Sequence, residues 1–393
     1  MLKLTRALAV AVLAPTLITA SAATASAAMP DGGVSVVAAS AHAGANPVAG
    51  SYIVMLRAGA DARRVARSVS ATPRHYYDAA LNGFAADLTS GQLRALSANP
   101  AVQLIEQDVE VTNALDATQS PTPSWGIDRV DQQYLPLSNS YTYASTGAGV
   151  HAYIIDTGIR VDLPEFGGRA TFDFNAIGGR DTDCYGHGTH VAGTVGSASY
   201  GIAKGVRLHA VKMMNCAGSG RTSNTIAAVD WVTANAQRPA VANTSWNWDA
   251  SPTLETALRN MIASGVFLAT SAGNTGANSC DRLPRKIETA TVVAASDRTD
   301  TRASFSSTGA CIDVYAPGAA IVSTVISGGA DAWDGTSMAT PHVTGIAALY
   351  KATYGDAPSA TVHDWINANA TPNVINGGGT GGTVNRLVYK STL

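Results

Sequence analysis

His151-Ala-Tyr-Ile-Ile155, running into Asp156-Thr157-Gly158-Ile159, is an apolar strand that ends in a carboxylate and a glycine turn. Downstream, further apolar strands are predicted at Leu208 to Met214, Ala240 to Ser245, Val266 to Ser271, Thr291 to Ala295 and Ile312 to Ala316. Helical patterns lie near Thr189 to Gly196, Ser223 to Ala236 and Thr253 to Ser264. The last opens with Ser251 as N-cap and Pro252 at the first helical position, and Leu254, Leu258, Met261 and Ile262 form its buried stripe. Alternating strand and helix predicts an α/β fold, a parallel sheet flanked by helices on both faces. Ligands of such a sheet bind at the carboxyl ends of its strands, where Asp156 stands.

Composition sets the class. Of 393 residues, 46% are hydrophobic and only 14% charged, against roughly 25% charged in an average soluble protein. Disorder and coiled coil are thereby excluded. A formal net charge of -2 offers no basic surface to a nucleic acid, and 38 glycines point to a loop-rich, enzyme-like globule. Met1 to Ala28 carries Lys3 and Arg6, an uncharged apolar run from Ala7, and the small-residue ending Ala25-Ser26-Ala27-Ala28. That is the grammar of a secretory signal peptide. No later run approaches about 18 apolar residues, so a soluble, secreted mature protein is expected, without a membrane partner.

A small module precedes the α/β region. Ser51-Tyr-Ile-Val-Met-Leu56 reads as a strand, Val65, Ala66 and Val69 mark an amphipathic helix, and His75 to Leu88 holds two strand-like runs around Asn82-Gly83, hairpin-turn chemistry. Thr89 with Gln92 is a capping-box signature for a helix that stops before Pro100, and Val102 to Val111 is a last strand. The order β-α-β-β-α-β is that of ferredoxin-like modules. Ala117-Thr-Gln-Ser-Pro-Thr-Pro-Ser124 then reads as an exposed linker.

The four cysteines are Cys184, Cys216, Cys280 and Cys311. In an exported chain an even count reads as disulfides, and pairing 184 with 216 and 280 with 311 closes two loops of similar length. Each such loop is worth roughly 3.5 kcal/mol in the chain-entropy account. A zinc reading competes, because Cys184-Tyr-Gly-His187-Gly-Thr-His190 has ligand-like spacing. Two further segments carry chemistry beside the Asp156 strand. Gly186-His187-Gly188-Thr189-His190 sets a histidine between glycines that let backbone pass close to its ring. Asp334-Gly335-Thr336-Ser337-Met338-Ala339-Thr340-Pro341-His342 puts Ser337 where a helix begins, at the positive end of the helix dipole. Each alone also fits a structural cap or a buried core group.

Together, in the order Asp…His…Ser, the three segments resemble the catalytic boxes of the subtilisin-like serine proteases. Ser124-Trp-Gly-Ile-Asp128, Leu137-Ser-Asn-Ser-Tyr-Thr-Tyr143 and the placing of the cysteines resemble the proteinase K and aqualysin type, and Asn82-Gly83-Phe84-Ala85-Ala86 resembles that family's inhibitory propeptide. The resemblance implies a subtilisin-like peptidase domain at 117–393, an inhibitory propeptide at 29–116 with its core at 51–111, and a signal peptide at 1–28. It implies a monomeric serine endopeptidase acting on polypeptides, with the propeptide as intramolecular chaperone and inhibitor until the chain cuts itself near Asp116-Ala117. Asp116 is an unusual residue to leave in a P1 pocket.

Site roles follow from the same resemblance. Ser337 is the expected nucleophile, His187 its base and Asp156 the group that orients the imidazole. Asn274 and the Ser337 backbone N–H are the expected oxyanion donors. Gly218, Ser219 and Gly220 on one side and Ser245, Trp246 and Asn247 on the other are the expected edges for an extended peptide, and Ser271, Ala272 and Gly273 the far wall of the P1 pocket. Structural calcium is expected at Asp313 with the carbonyls of Glu288 and Ala290, and at Asp128 with Asp131. Ser245-Trp246-Asn247-Trp248 departs from the family's Ser-Leu-Gly-Gly. That departure motivates the rival reading, a secreted binding protein on a non-catalytic protease scaffold. An α/β-hydrolase esterase fits less well, since no Gly-x-Ser-x-Gly elbow surrounds Ser337.

Overall fold

The computed structural model describes residues 34, 36–37, 45–111 and 117–393. The expected signal peptide, Met1 to Ala28, and Asp116 at the expected junction lie outside them. The chain forms two compact units, one ending at Thr112 and the other beginning its main run at Asn113.

The first unit contains strands β1 (Val36–Val37), β2 (Ala45–Leu56), β3 (Pro73–Tyr77), β4 (Gly83–Asp87) and β5 (Val102–Val111), with helices α1 (Ala62–Ser68) and α2 (Ser90–Ser97). Its sheet runs β1-β5-β2-β4-β3, with β2 antiparallel to both β4 and β5. The helices close over a core of Val54, Leu56, Val65, Ala66, Phe84, Leu96 and Ile105. The capping box forms as read: the Gln92 N–H donates to Thr89 Oγ1, and the Thr89 N–H donates to Gln92 Oε1. Asn82-Gly83 differs from the expected two-residue turn. Strand β3 ends at Tyr77 and Gly83 opens β4, where a Cβ would collide with the Val54 carbonyl. Asn82 instead staples the β2–α1 loop, donating to the carbonyls of Arg57 and Ala60 at 3.0 and 2.9 Å.

The second unit begins with β6 (Ala117–Gln119), α3 (Trp125–Arg129) and β7 (Tyr141–Tyr143), so the expected linker is partly strand, paired with β7. There follow β8 (His151–Asp156), β9 (Ala170–Asn175), α4 (His187–Gly196), β10 (Arg207–Lys212), α5 (Thr222–Asn235), β11 (Ala240–Thr244), α6 (Pro252–Ala263), β12 (Phe267–Ser271), β13 (Thr291–Ser296) and β14 (Val314–Pro317). The chain closes with β15 (Ile321–Thr324), β16 (Ala330–Trp333), α7 (Thr336–Tyr354), α8 (Ser359–Asn369), β17 (Thr371–Pro372) and β18 (Arg386–Leu387).

Nine strands make the main sheet in the order β17-β18-β14-β13-β12-β11-β8-β10-β9, parallel except for the β17–β18 pair at one edge. Side chains of β8 feed both faces: Ala152 and Ile154 pack with α4 and α7, Tyr153 and Ile155 with α5 and α6. Helix α6 has the expected cap and stripe, with Leu254, Leu258, Met261 and Ile262 buried. The strand order reverses around β8, so the crevice beyond its carboxyl end is the switch point where such sheets bind ligands. Asp156 ends that strand.

Two buried histidines have a thermodynamic consequence. His190 in α4 and His342 in α7 are fully buried, and desolvation holds both imidazoles down at about 4. The unfolded chain takes up these protons below about pH 6.5 and the folded chain does not. Stability is therefore full above pH 6.5 and falls as pH drops toward 4, by up to about 3 kcal/mol per histidine. The thermal midpoint followed from pH 7.5 to 4.5 should decline through this window, and less steeply in His342→Gln; a flat midpoint would contradict the assignment.

Candidate active site

His187 is the first residue of α4, and its Nδ1 lies 2.7 Å from Oδ1 of Asp156. The same oxygen accepts the Thr157 N–H at 2.7 Å. Asp183, not singled out from the sequence, anchors the helix start: Oδ1 accepts the N–H groups of Tyr185 and Gly186, and Oδ2 accepts the N–H and hydroxyl of Thr189. Its signal was an acidic residue shortly before a helix, the placing that favours the N-terminal dipole. Burial opposes an imidazolium at His187, but the Asp156 charge and hydrogen bond, with the field of Asp183, outweigh it and raise the pKa above the ordinary value.

Ser337 is the second residue of α7. Pro341 lies four residues on and cannot donate the helical N–H that would meet the Ser337 carbonyl. The Ser245 hydroxyl takes that place at 3.0 Å, and the Ser337 hydroxyl donates to the Ser245 carbonyl at 3.1 Å. Among the described residues no hydrogen bond joins Ser337 to His187. The two side chains face one cleft of about 600 Å³, which Asn274, Tyr185, Trp333 and Met338 also line.

Asn274 is oriented by Thr336, a residue sequence reasoning passed over as part of the serine box. The Thr336 N–H and hydroxyl both donate to Asn274 Oδ1, at 2.9 and 2.8 Å, and the Thr336 hydroxyl accepts the Gly273 N–H at 3.0 Å. With its oxygen occupied, the amide presents Nδ2 as a donor. Gly335 has φ 154°, and a Cβ there would lie 3.5 Å from both Asn274 Nδ2 and the Ser337 nitrogen. Two donors thus converge on space that only glycine leaves open.

Comparison with known proteins decides the family. Residues 147–387 match the subtilase family, peptidase S8, and residues 51–114 match peptidase inhibitor I9. This chain belongs to the subtilase family. It is 48% identical over 307 residues to an extracellular serine proteinase of Thermus sp. (strain Rt41A), covering 77% of this chain and 74% of that protein. It is 40% identical over 319 residues to a cuticle-degrading protease of Metarhizium anisopliae, covering 80% and 81% respectively. The crystal structure of a cold adapted subtilisin-like serine proteinase superposes with a TM-score of 0.67 at 41% identity, over 70% of this chain and 99% of that one. This subtilase is accordingly a serine protease carrying an inhibitor I9 propeptide domain.

The remaining expected residues divide. Cys184 is bonded to Cys216 and Cys280 to Cys311, with Cα–Cα distances of 5.0 and 5.6 Å. The zinc reading therefore falls, since Cys184 has no free thiolate and His190 stacks on Trp333, its Nε2 at 3.1 Å from the Asp331 carbonyl. Gly218, Ser219 and Gly220 form a turn in which the Asn215 N–H donates to the Ser219 carbonyl at 2.8 Å. Ser245 touches Ser337 as described, and Asn247 is exposed. The Trp246 side chain is 5% exposed, and its indole N–H donates to the Ile155 carbonyl at 2.8 Å within the core, so only its backbone is left to edge a peptide. Ser271 ends β12, and Ala272 and Gly273 continue to Asn274.

Asp313, Glu288 and Ala290 line one cavity of about 260 Å³ beside the Cys280–Cys311 disulfide. Burial pushes the Asp313 carboxyl up to about 6, and its Oδ2 accepts the Val292 N–H at 2.8 Å. A carboxylate with nearby carbonyls is the oxygen chemistry calcium takes, but Arg285 and Lys286 line the same cavity, and among the described residues no group of three or more His, Cys, Asp or Glu side chains is placed to hold a metal. Asp128 and Asp131 fit less well. Asp128 accepts from the N–H groups of Ser138 and Asn139 and the Ser138 hydroxyl, while Asp131 accepts the Thr142 N–H and pairs with Lys390 at 3.1 Å.

Asn274→Ala should lower kcat while leaving KM close to wild type, as checked by steady-state kinetics on a peptide anilide. The scale is the roughly 10²–10³-fold loss that subtilisin, itself a subtilase, shows on losing its oxyanion asparagine. An unchanged kcat would remove Asn274 from the site.

Proposed function

We propose that this subtilase is a secreted endopeptidase that hydrolyses peptide bonds through an acyl-enzyme on Ser337. The observation that carries the reading is the 2.7 Å contact of Asp156 with His187 on a cleft shared with Ser337 and Asn274. A serine hydroxyl is a weak nucleophile until a base takes its proton. His187 would accept the Ser337 proton at Nε2 as Oγ attacks the carbonyl carbon, then return it to the departing amine. Asp156 would hold the Nδ1–H tautomer and the imidazolium that forms. Asn274 Nδ2 and the Ser337 N–H would stabilise the oxyanion. Water, activated by the same imidazole, would then release the acyl group.

The chain is read as a preproenzyme: signal peptide 1–28, propeptide 29–116, peptidase 117–393. Its propeptide would assist folding, inhibit the enzyme and be cut off near Asp116-Ala117, leaving a monomeric extracellular protease. The printed names of relatives such as the Thermus extracellular proteinase favour export, and no described helix is long and apolar enough to cross a membrane. Structural calcium, proposed at Asp313 with the carbonyls of Glu288 and Ala290, would neutralise a buried carboxylate. The binding-protein alternative is weakened by the match to the subtilase family and to relatives named serine proteinases.

Expression of wild type beside Ser337→Ala tests the reading. Wild type should be shortened to the mature length and clear casein, whereas the variant stays full length and inactive. Equal lengths with no clearing by either protein would overturn it.

A further inference from the structure

Arg285 was not singled out from the sequence. It is 3% exposed, and its Nη2 is buried without a hydrogen-bond partner. Its Nε donates to the Ser271 carbonyl at 2.7 Å. The guanidinium lies against the α-carbon of Gly273, where φ is 100° and a Cβ would meet Nη2, Cζ and Nη1 at 2.6, 2.8 and 2.9 Å. The cation thus borders both ends of Ser271-Ala272-Gly273, one residue from the Asn274 amide.

Its neighbours on the same loop are neutralised. Arg282 pairs with Asp249, and Lys286 with Glu255 at 3.4 Å. Among the described residues no carboxylate forms an ion pair with Arg285, although Asp313 and Glu288 line a cavity of about 260 Å³ that it also borders. The field of Asp281 reaches it, but that carboxylate is exposed and 4.0 Å from Arg282. Desolvation brings the Arg285 pKa down to about 10, which leaves it a cation at neutral pH. Buried charges in folded proteins are ordinarily paired, because an isolated one is strongly destabilising. An unpaired buried guanidinium behind the proposed P1 wall is therefore a group whose partner arrives from outside.

We propose that Arg285 is a specificity-determining residue that receives an acidic P1 side chain, so that this subtilase cleaves after glutamate or aspartate. The inference rests on the reading of Ser337 as nucleophile and Ser271-Ala272-Gly273 as P1 wall. A carboxylate matches the guanidinium in charge and planar geometry, and such charge-assisted pairs are the strong ones in a dry site. The self-cleavage proposed near Asp116-Ala117 is consistent with this choice, since a cut after Asp116 would present an acidic P1 residue to Arg285.

The test uses succinyl-Ala-Ala-Pro-Xaa-p-nitroanilides with Xaa glutamate, phenylalanine, leucine or lysine, on enzyme matured from the full chain. Wild type should show kcat/KM for glutamate at least about tenfold above phenylalanine, and Arg285→Ala should lose that ratio while still cleaving leucine. Arg285→Lys should restore part of it, since a lysine keeps the charge without the fork. Ser337-dependent cleavage that favours phenylalanine or leucine in wild type would overturn the P1 proposal alone. So would an Arg285→Ala enzyme with an unchanged glutamate preference. Failure of wild type on all four substrates would overturn the protease reading beneath it. Should Arg285→Ala not fold, intact mass of the wild-type product decides: a mature start at Ala117 supports the proposal, and one after a non-acidic residue counts against it.

Discussion

Helix α7 lies against β11, β12, β13 and β14 and is buried from Met338 to Lys351. A helix so enclosed meets most of its polar groups with protein partners, although His342 Nε2 has none among the described residues. Thr340 donates back to the Thr336 carbonyl, Thr344 reaches Asn243 at 2.9 Å, and Lys351 bonds the Gly265 carbonyl and Asp356 at 3.0 Å. The carbonyl that Pro341 cannot serve is met by Ser245. These bonds fix the helix along its axis and so fix where Ser337 emerges. They also couple the site to β11, since Asn243 in that strand donates to the Ser245 hydroxyl at 2.9 Å.

Electrostatics then divides the site into two kinds of charge. Asp156 is buried and shares its charge with a partner: His187 and the Thr157 N–H bond Oδ1, Oδ2 has no hydrogen bond among the described residues, and Lys212, itself 2% exposed, donates to the Thr157 carbonyl nearby. Its field favours the imidazolium that proton transfer would create. Arg285 is buried and unanswered. The first charge belongs to chemistry common to every substrate, while the second is fitted to a choice among substrates.

Much of this was legible in the sequence. Strongly apolar strands with glycine turns, the Ser251-Pro252 cap of α6 and the Thr89/Gln92 box appear where read, because each depends on local chemistry. Strand β9, helix α8 and the β15–β16 hairpin were not foreseen. Ala170-Thr-Phe-Asp-Phe-Asn175 is an edge strand with polar positions, α8 buries only Ser359, Val362 and Ile366, and Ala330–Trp333 is largely exposed. Weak apolar patterns give weak signals. Trp246 stands where the family has leucine, and like a leucine it packs into the core, which leaves the departure from the two glycines to Asn247 and Trp248. Thr336 and Arg285 were missed for a different reason. Their importance lies in which carbonyl or amide they meet across the fold, and residue type does not disclose that.

The central claim is that Ser337 is a nucleophile activated by His187, and active-site labelling tests it most directly. In diisopropyl fluorophosphate the serine oxygen attacks phosphorus and fluoride leaves, so an activated serine acquires a stable adduct. Peptide mass spectrometry of the mature enzyme should find one adduct, on Ser337, and almost none in His187→Ala. An active enzyme that carries no adduct, or carries it on other serines while Ser337 stays free, would contradict the account.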